Sequence, residues 1–313
     1  GFWALKLNTT GAENTAIGVG ALAANTTASY NTAVGSGVLD ANTTGANNTA
    51  MGFNALGACT TGSESVAIGA GALDAVTTQG TNVAVGYSAA TSLTTTGVTA
   101  IGYKAMESST TGYDTVAIGS NALKACTSGN ENVAVGFNAM ANHTTGNDNV
   151  AIGNSALLLS TTASNNVAVG RTALGSTTTG GFSTAMGVNA LTSQTSGSFN
   201  EAFGYVAGDA ITTGNSNTCI GSDAGGSLTT GSKNTFCGHR AGNFHQSNYI
   251  VTTGDENTYI GMCSSPSSTS VEKEVVIGFL AVGKGTNTGM LGPTSGVYQG
   301  NNSSSWSTTS DRT

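Results

Sequence analysis

Asn14-Thr15-Ala16-Ile17-Gly18 is followed by Asn31-Thr32-Ala33-Val34-Gly35, then by Asn48-Thr49-Ala50-Met51-Gly52 and Ser65-Val66-Ala67-Ile68-Gly69. The closing glycines recur at 18, 35, 52, 69, 86, 102, 119, 136, 153, 170, 187, 204, 221, 238, 261 and 278. Of the fifteen intervals, thirteen are 17 residues, Gly86 to Gly102 is 16 and Gly238 to Gly261 is 23. A period this constant means one small unit stacked on itself rather than a globular fold with insertions.

Within each period the residue before the glycine is apolar, as in Ile17-Gly18, Val34-Gly35, Ile68-Gly69, Ile118-Gly119 and Ile152-Gly153. Two before it stands Ala, from Ala16 to Ala202; three before is mostly Thr or Val, and four before mostly Asn. This alternation predicts a strand with Thr/Val and Ile/Val on one face and Asn and Ala on the other. Equivalent Asn residues in successive coils are placed to form a hydrogen-bonded ladder. Three residues after the glycine comes a second apolar pair, Ala21-Leu22, Ala55-Leu56 or Ala122-Leu123, and then a polar corner such as Thr43-Thr44-Gly45 or Thr60-Thr61-Gly62. Both glycine places are expected at positive φ. Seventeen residues are too few for a strand, a helix and two corners. Each period therefore predicts one coil with two short strands, stacked in parallel at about 4.8 Å. The fold class is all-β, a parallel β-roll or β-solenoid of 17-residue coils over residues 11–283, with a lead-in at 1–10 and a non-repetitive tail at 284–313.

So thin a coil buries little apolar surface against the backbone entropy it loses. Ala on the face opposite Ile/Val would let other chains approach closely, and three rolls around an axis would share one core; this predicts a homotrimer. Towards the C-terminal end Ala207-Gly208, Ala224-Gly225 and Ala241-Gly242 replace Ala-Leu, while Phe236 and Tyr259 replace the small Ala. That swap of bulk between faces predicts a change of cross-section.

The 23-residue interval adds six residues within 243–251, carrying Phe244, His245 and Tyr249. These are candidate contacts for a receptor, against the plainer reading of an ordinary looped corner. Cys237, His239 and His245 match no dependable metal-ligand spacing, and Cys237 falls in the apolar place taken to face inward, so no metal and no cofactor is expected. His143 is read as solvated in its turn. Cys59 and Cys126 share a place four coils apart, too far to bridge. The seven Asn-x-Ser/Thr sites at Asn8, Asn25, Asn42, Asn47, Asn142, Asn301 and Asn302 follow from a Thr-rich repeat and say little about glycosylation.

The charge of -7 with 9 Lys+Arg argues against a nucleic-acid partner. No apolar run reaches the length of a membrane span. The start at Gly1-Phe2-Trp3 is read as that of a fragment. Acidic residues scatter over variable places, and no nucleophile elbow, phosphate loop or paired acids stand in the repeats, so an enzyme is not expected.

Two resemblances follow. The Asn-Thr-Ala-Ile-Gly…Ala-Leu…Thr-Thr-Gly repeat, over about residues 11–283, resembles the head repeats of trimeric bacterial adhesins and related repeats of phage tail fibres. It implies a left-handed parallel β-roll wound as a trimer, although the adhesin unit is shorter than 17 residues. The ending Trp306-Ser307-Thr308-Thr309-Ser310-Asp311-Arg312 resembles the start of the endosialidase-type intramolecular chaperone of phage tail spikes and fibres. That family cuts itself off before a Ser-Asp pair, using the Ser and a Lys a few residues on. Ser310 and Asp311 match the pair, no such Lys follows in this sequence, and no competent protease is implied. Together the resemblances imply a structural and adhesive fibre shaft on a virion. Its partners would be other virion tail proteins and a host surface glycan or protein receptor. A bacterial surface adhesin or extracellular filament is the first alternative, and a tail-spike polysaccharide depolymerase the second.

Overall fold

The computed structural model describes residues 1–243, 250–293, 297–299 and 307–308, in two compact units, Gly1–Thr162 and Ala163–Thr313. No helix occurs among the described residues. In the first unit nine three-residue strands, β1 (Thr15–Ile17) to β9 (Val150–Ile152), form one parallel ladder. The register is set by the repeat: Ala16 lies opposite Ala33, and Ala50 opposite Ala67. In the second unit β10 (Val167–Val169) to β16 (Val275–Ile277) do the same, and β17 (Gly289–Leu291) adds one further parallel strand beyond the repeat. After β17 the chain reverses. Strand β18 (Val297–Gln299) pairs antiparallel with β17, and β19 (Ser307–Thr308) antiparallel with β18. Each unit is thus a parallel β-solenoid with one coil per period. The 23-residue interval leaves the ladder undisturbed, since Thr235 pairs with Thr258 across it.

Only one strand forms per coil. The expected second strand at Ala-Leu is instead a run of tight turns. Ala21 and Leu22 are both fully buried, as are Ala55 and Leu56, whereas a strand would send neighbouring side chains to opposite faces. The chain buries both by placing Leu in the left-handed region, with φ of 51° at Leu22 and 49° at Leu39. Backbone groups there still pair from coil to coil, as in Leu22 N–H to Val38 O at 3.0 Å, so the departure from strand geometry strands no donor.

The two faces of the strand are also the reverse of the expected ones. Ala33, Ala67, Ala117 and Ala151 are completely buried inside the coil, while Ile17, Ile68, Ile118 and Ile152 are 37–60% exposed and Val34 is half-buried. Cys237, in the same column, accordingly faces outward and is half-buried. The reason is width. The turn side already fills the interior with Leu22, Leu39, Leu56 or Leu73, and only a methyl fits opposite. Where the turn side shrinks to Gly225 and Gly242, the strand side grows to Phe236 and Tyr259, both fully buried and stacked at 5.5 Å. The bulk swap anticipated in the sequence is an exchange across one interior.

The Asn ladder forms as expected, inside the coil. Asn14 Oδ1 accepts the Asn31 N–H at 2.9 Å, Asn31 Oδ1 that of Asn48 at 2.9 Å, and Nδ2 of Asn31 donates to the Gly45 carbonyl of the next corner. A second ladder runs through Thr hydroxyls, Thr26 to the Thr43 carbonyl and Thr43 to that of Thr60.

The two glycine columns have different causes. Gly18, Gly35, Gly69, Gly119 and Gly153 lie at φ between 135° and 138°, as expected. The corner glycines do not have positive φ; that conformation falls two residues later, on Asn47, Glu64 and Asp114. Glycine is needed at the corner for closeness, because a Cβ on Gly112 would lie 2.6 Å from the Gly129 carbonyl oxygen of the next coil.

Candidate functional site

Each strand turns its first and third residues outward, and the chain continues past the glycine in the same sense. The residue after the glycine is therefore also exposed, and it is often aromatic: Phe53, Tyr87, Tyr103 and Phe137 in the first unit, Tyr205 and Phe279 in the second. Together with Ile68, Ile101, Ile118 and Ile152 these side chains give the first unit an apolar ribbon that runs from coil to coil. In the second unit Met186, Phe203, Ile220 and Ile260 occupy the corresponding column. Tyr87 and Tyr103 stack at 5.6 Å with their rings 14° apart. A contiguous apolar surface on this scale is uncommon on a monomer.

The candidate residues read from the sequence divide as follows. Ile17, Val34, Ile68, Ile118 and Ile152 line the outer face of the first unit, and the glycines beside them carry the turn off the strand. Phe244, His245 and Tyr249 lie outside the described residues, as do Ser310, Asp311 and Trp306. His239 is exposed.

His143 is fully buried, contrary to the solvated reading, because its place in the coil faces inward, like that of Asn42 and Cys59. Its Nε2–H donates to the Gly146 carbonyl at 2.7 Å, so Nδ1 accepts from the Ser160 hydroxyl at 3.0 Å. Burial holds its pKa below the ordinary 6.5, opposed by the Gly146 contact. Asn25 and Asn42 are buried in that column too, with their amides tied to the Ala28 and Gly45 carbonyls, and offer no glycosylation acceptor in the folded chain. Cys59 and Cys126 are buried free thiols, pushed up in pKa by burial. Buried Cys219 is pushed up to about 12.

Acidic residues are less scattered than their sequence positions suggest. Asp40 and Asp74 share one place in coils two turns apart. Burial raises the Asp74 pKa first and the Asp40 charge adds to it. Burial does the same at Asp209, with Asp223 adding to it.

Glu274 passed unnoticed in the sequence, although it stands where the other coils place Asn. It is fully buried and accepts the Tyr259 hydroxyl at 2.9 Å, the Ser267 N–H at 3.2 Å and the Gly285 N–H at 2.7 Å. Its own N–H continues the ladder to Asn257 Oδ1. Burial, then the Glu274 charge, raise the Tyr259 pKa. The exposed aromatic column was missed for a simpler reason: the count stopped at the glycine.

No cluster of three or more metal-ligating side chains occurs among the described residues, and no helix there is long and apolar enough to cross a membrane. No protein-family model matches the chain, and no curated protein is detectably similar to it in sequence.

Proposed function

We propose that this chain is a shaft segment of a trimeric phage tail fibre, spacing and presenting a surface that attaches the virion to its host. The observation that carries the reading is the apolar ribbon on the outer face of the coils. In the first unit nine coils each present one Ile, Val or Met to a seam along it, and the aromatic column one residue beyond the glycine stays outside that seam. Six of the nine, Ile17, Met51, Ile68, Ile101, Ile118 and Ile152, are 36–60% exposed.

A second copy matches this ribbon coil for coil, since its own side chains repeat at the same spacing. Three copies around an axis would bury Ile68, Ile118 and Ile152 together. The shared core is then built on the Ile/Val face, and Ala keeps each individual coil thin. Low charge and sparse Lys and Arg accord with a structural role.

The test has two arms. Light scattering on the purified chain measures its mass in solution, and fluorescently labelled protein is offered to a panel of bacterial isolates. A trimer that labels a subset of isolates supports the reading. A monomer overturns the fibre assembly, and a trimer that labels none overturns the adhesive role.

A further inference from the structure

One gap in the aromatic column leaves a cleft. Phe53 and Tyr87 stand two coils apart, with Ala70 in the coil between them. At the strand spacing this separates the two rings by about 9.6 Å. The far face of Tyr87 is covered by Tyr103. The groove has a volume of about 230 Å³ and is lined at its base by Asn54, Asp74 and Ser88. Gly71 keeps the base open, since a Cβ there would meet nothing closer than Ser88 Oγ at 3.9 Å. Thr91 is fixed beside it by a hydrogen bond to the Gly71 carbonyl at 3.0 Å.

The chemistry of the walls and the base differs. Both ring side chains are more than half exposed. Contact with both faces of an inserted ring, at about 3.5–4.0 Å each, needs about 7–8 Å between walls. A gap of about 9.6 Å therefore takes something thicker than a flat aromatic ring. At the base the Asp74 carboxylate accepts no hydrogen bond from any described residue, although it is half-buried and feels the like charge of Asp40. The carboxylate is partly open to solvent, and a ligand hydroxyl can donate to it in place of water.

We infer that the Phe53–Tyr87 cleft is a binding site for one neutral pyranose unit of a surface polysaccharide. A pyranose is a puckered ring with apolar C–H faces for the two walls and a rim of hydroxyls for Asp74, Asn54 and Ser88. Asp40 and Asp74 repel an acidic sugar, and no lysine or arginine lines the cleft. Its volume of about 230 Å³ lies below the roughly 300–1,000 Å³ of pockets that hold drug-sized ligands and suits a single ring. This inference rests on the adhesive reading above and names the ligand class for it.

The test is titration of the purified chain with the methyl glycosides of glucose, galactose and mannose, followed by saturation-transfer NMR, on wild type and three variants. Tyr87→Ala removes a wall and is expected to weaken binding about tenfold. Asp74→Asn keeps the shape and removes the carboxylate. Ala70→Phe fills the gap from an outward column without touching the interior, so the coil still folds. Binding of at least one glycoside that is lost in Ala70→Phe and weakened in the other two supports the site. Binding that survives Ala70→Phe, or no glycoside binding by wild type, overturns it. Labelling of bacterial cells keeps the two proposals apart: equal labelling by wild type and Ala70→Phe overturns the cleft and leaves the adhesive role standing.

Discussion

Gly225 lies against the ring of Phe236: a Cβ on Gly225 would come within 2.7 Å of Phe236 Cδ2. The two residues come from opposite walls of the coil interior and exchange volume. Gly225 occupies the left-handed place, φ 60°, that Leu fills in earlier coils, so backbone conformation does not forbid a leucine there. Gly225→Leu is therefore expected to destabilise by overpacking alone, about 1–3 kcal/mol. Phe236→Ala is expected to cost about 3–5 kcal/mol by leaving a cavity. The double substitution rebuilds the Leu–Ala pairing of the earlier coils and should be clearly more stable than the sum of the two predicts. Denaturant midpoints for the four proteins give the coupling; additive effects would mean that the two walls do not share one interior.

His143 makes stability depend on pH. Its folded pKa lies below the ordinary 6.5 because burial disfavours the imidazolium. Above 6.5 both states are neutral at this site and it contributes no pH dependence. As pH falls below that value the unfolded chain takes up a proton that the folded chain resists, so stability drops until the depressed folded pKa is reached. His143→Gln should flatten that part of the profile, measured as melting temperature between pH 7.5 and 5.0. An unchanged slope would place the imidazole in solvent.

Asn48 holds two coils together. Its Oδ1 accepts the Ser65 N–H at 3.0 Å and its Nδ2 donates to the Gly62 carbonyl at 2.8 Å, both buried. Asn48→Ala leaves the Ser65 N–H without a partner, at about 1–3 kcal/mol, and leaves the Gly62 carbonyl with only the weak Cys59 thiol as donor. Asn48→Asp keeps the acceptor and loses the donor. Hydrogen exchange at the Ser65 amide separates the two: it should speed up in Asn48→Ala and stay slow in Asn48→Asp. Equal protection in all three would remove the ladder from the account.

The period, the parallel stacking and the Asn ladder were legible from residues 14–18 and their copies, because a fixed offset of 17 brings like residues to the same level of every coil. The direction of the faces was not. Alternation in Thr-Ala-Ile separates two faces without saying which is inside, and the greater hydrophobicity of Ile favoured the wrong one. The deciding constraint is the space left by Leu on the far wall, which becomes visible where Gly225 and Gly242 coincide with Phe236 and Tyr259. The adjacency of Ala21 and Leu22 likewise carried a signal against a second strand, since neighbours in a strand cannot both face one interior. His143 was misread from its polar neighbours, although its equivalents Val76, Cys126 and Leu228 are apolar. The cleft between Phe53 and Tyr87 could be found only by extending the count one residue past the glycine.

The most direct measurement is the mass of the purified chain in solution by light scattering, for wild type and for Ile118→Glu with Ile68→Glu. The wild type is expected at three times the chain mass of 30.7 kDa, and the double variant at the single-chain mass. The variant should keep its β-sheet circular dichroism, because Ile68 and Ile118 lie outside the coil. A wild-type mass of one chain would contradict the account, and so would a trimer that tolerates both glutamates.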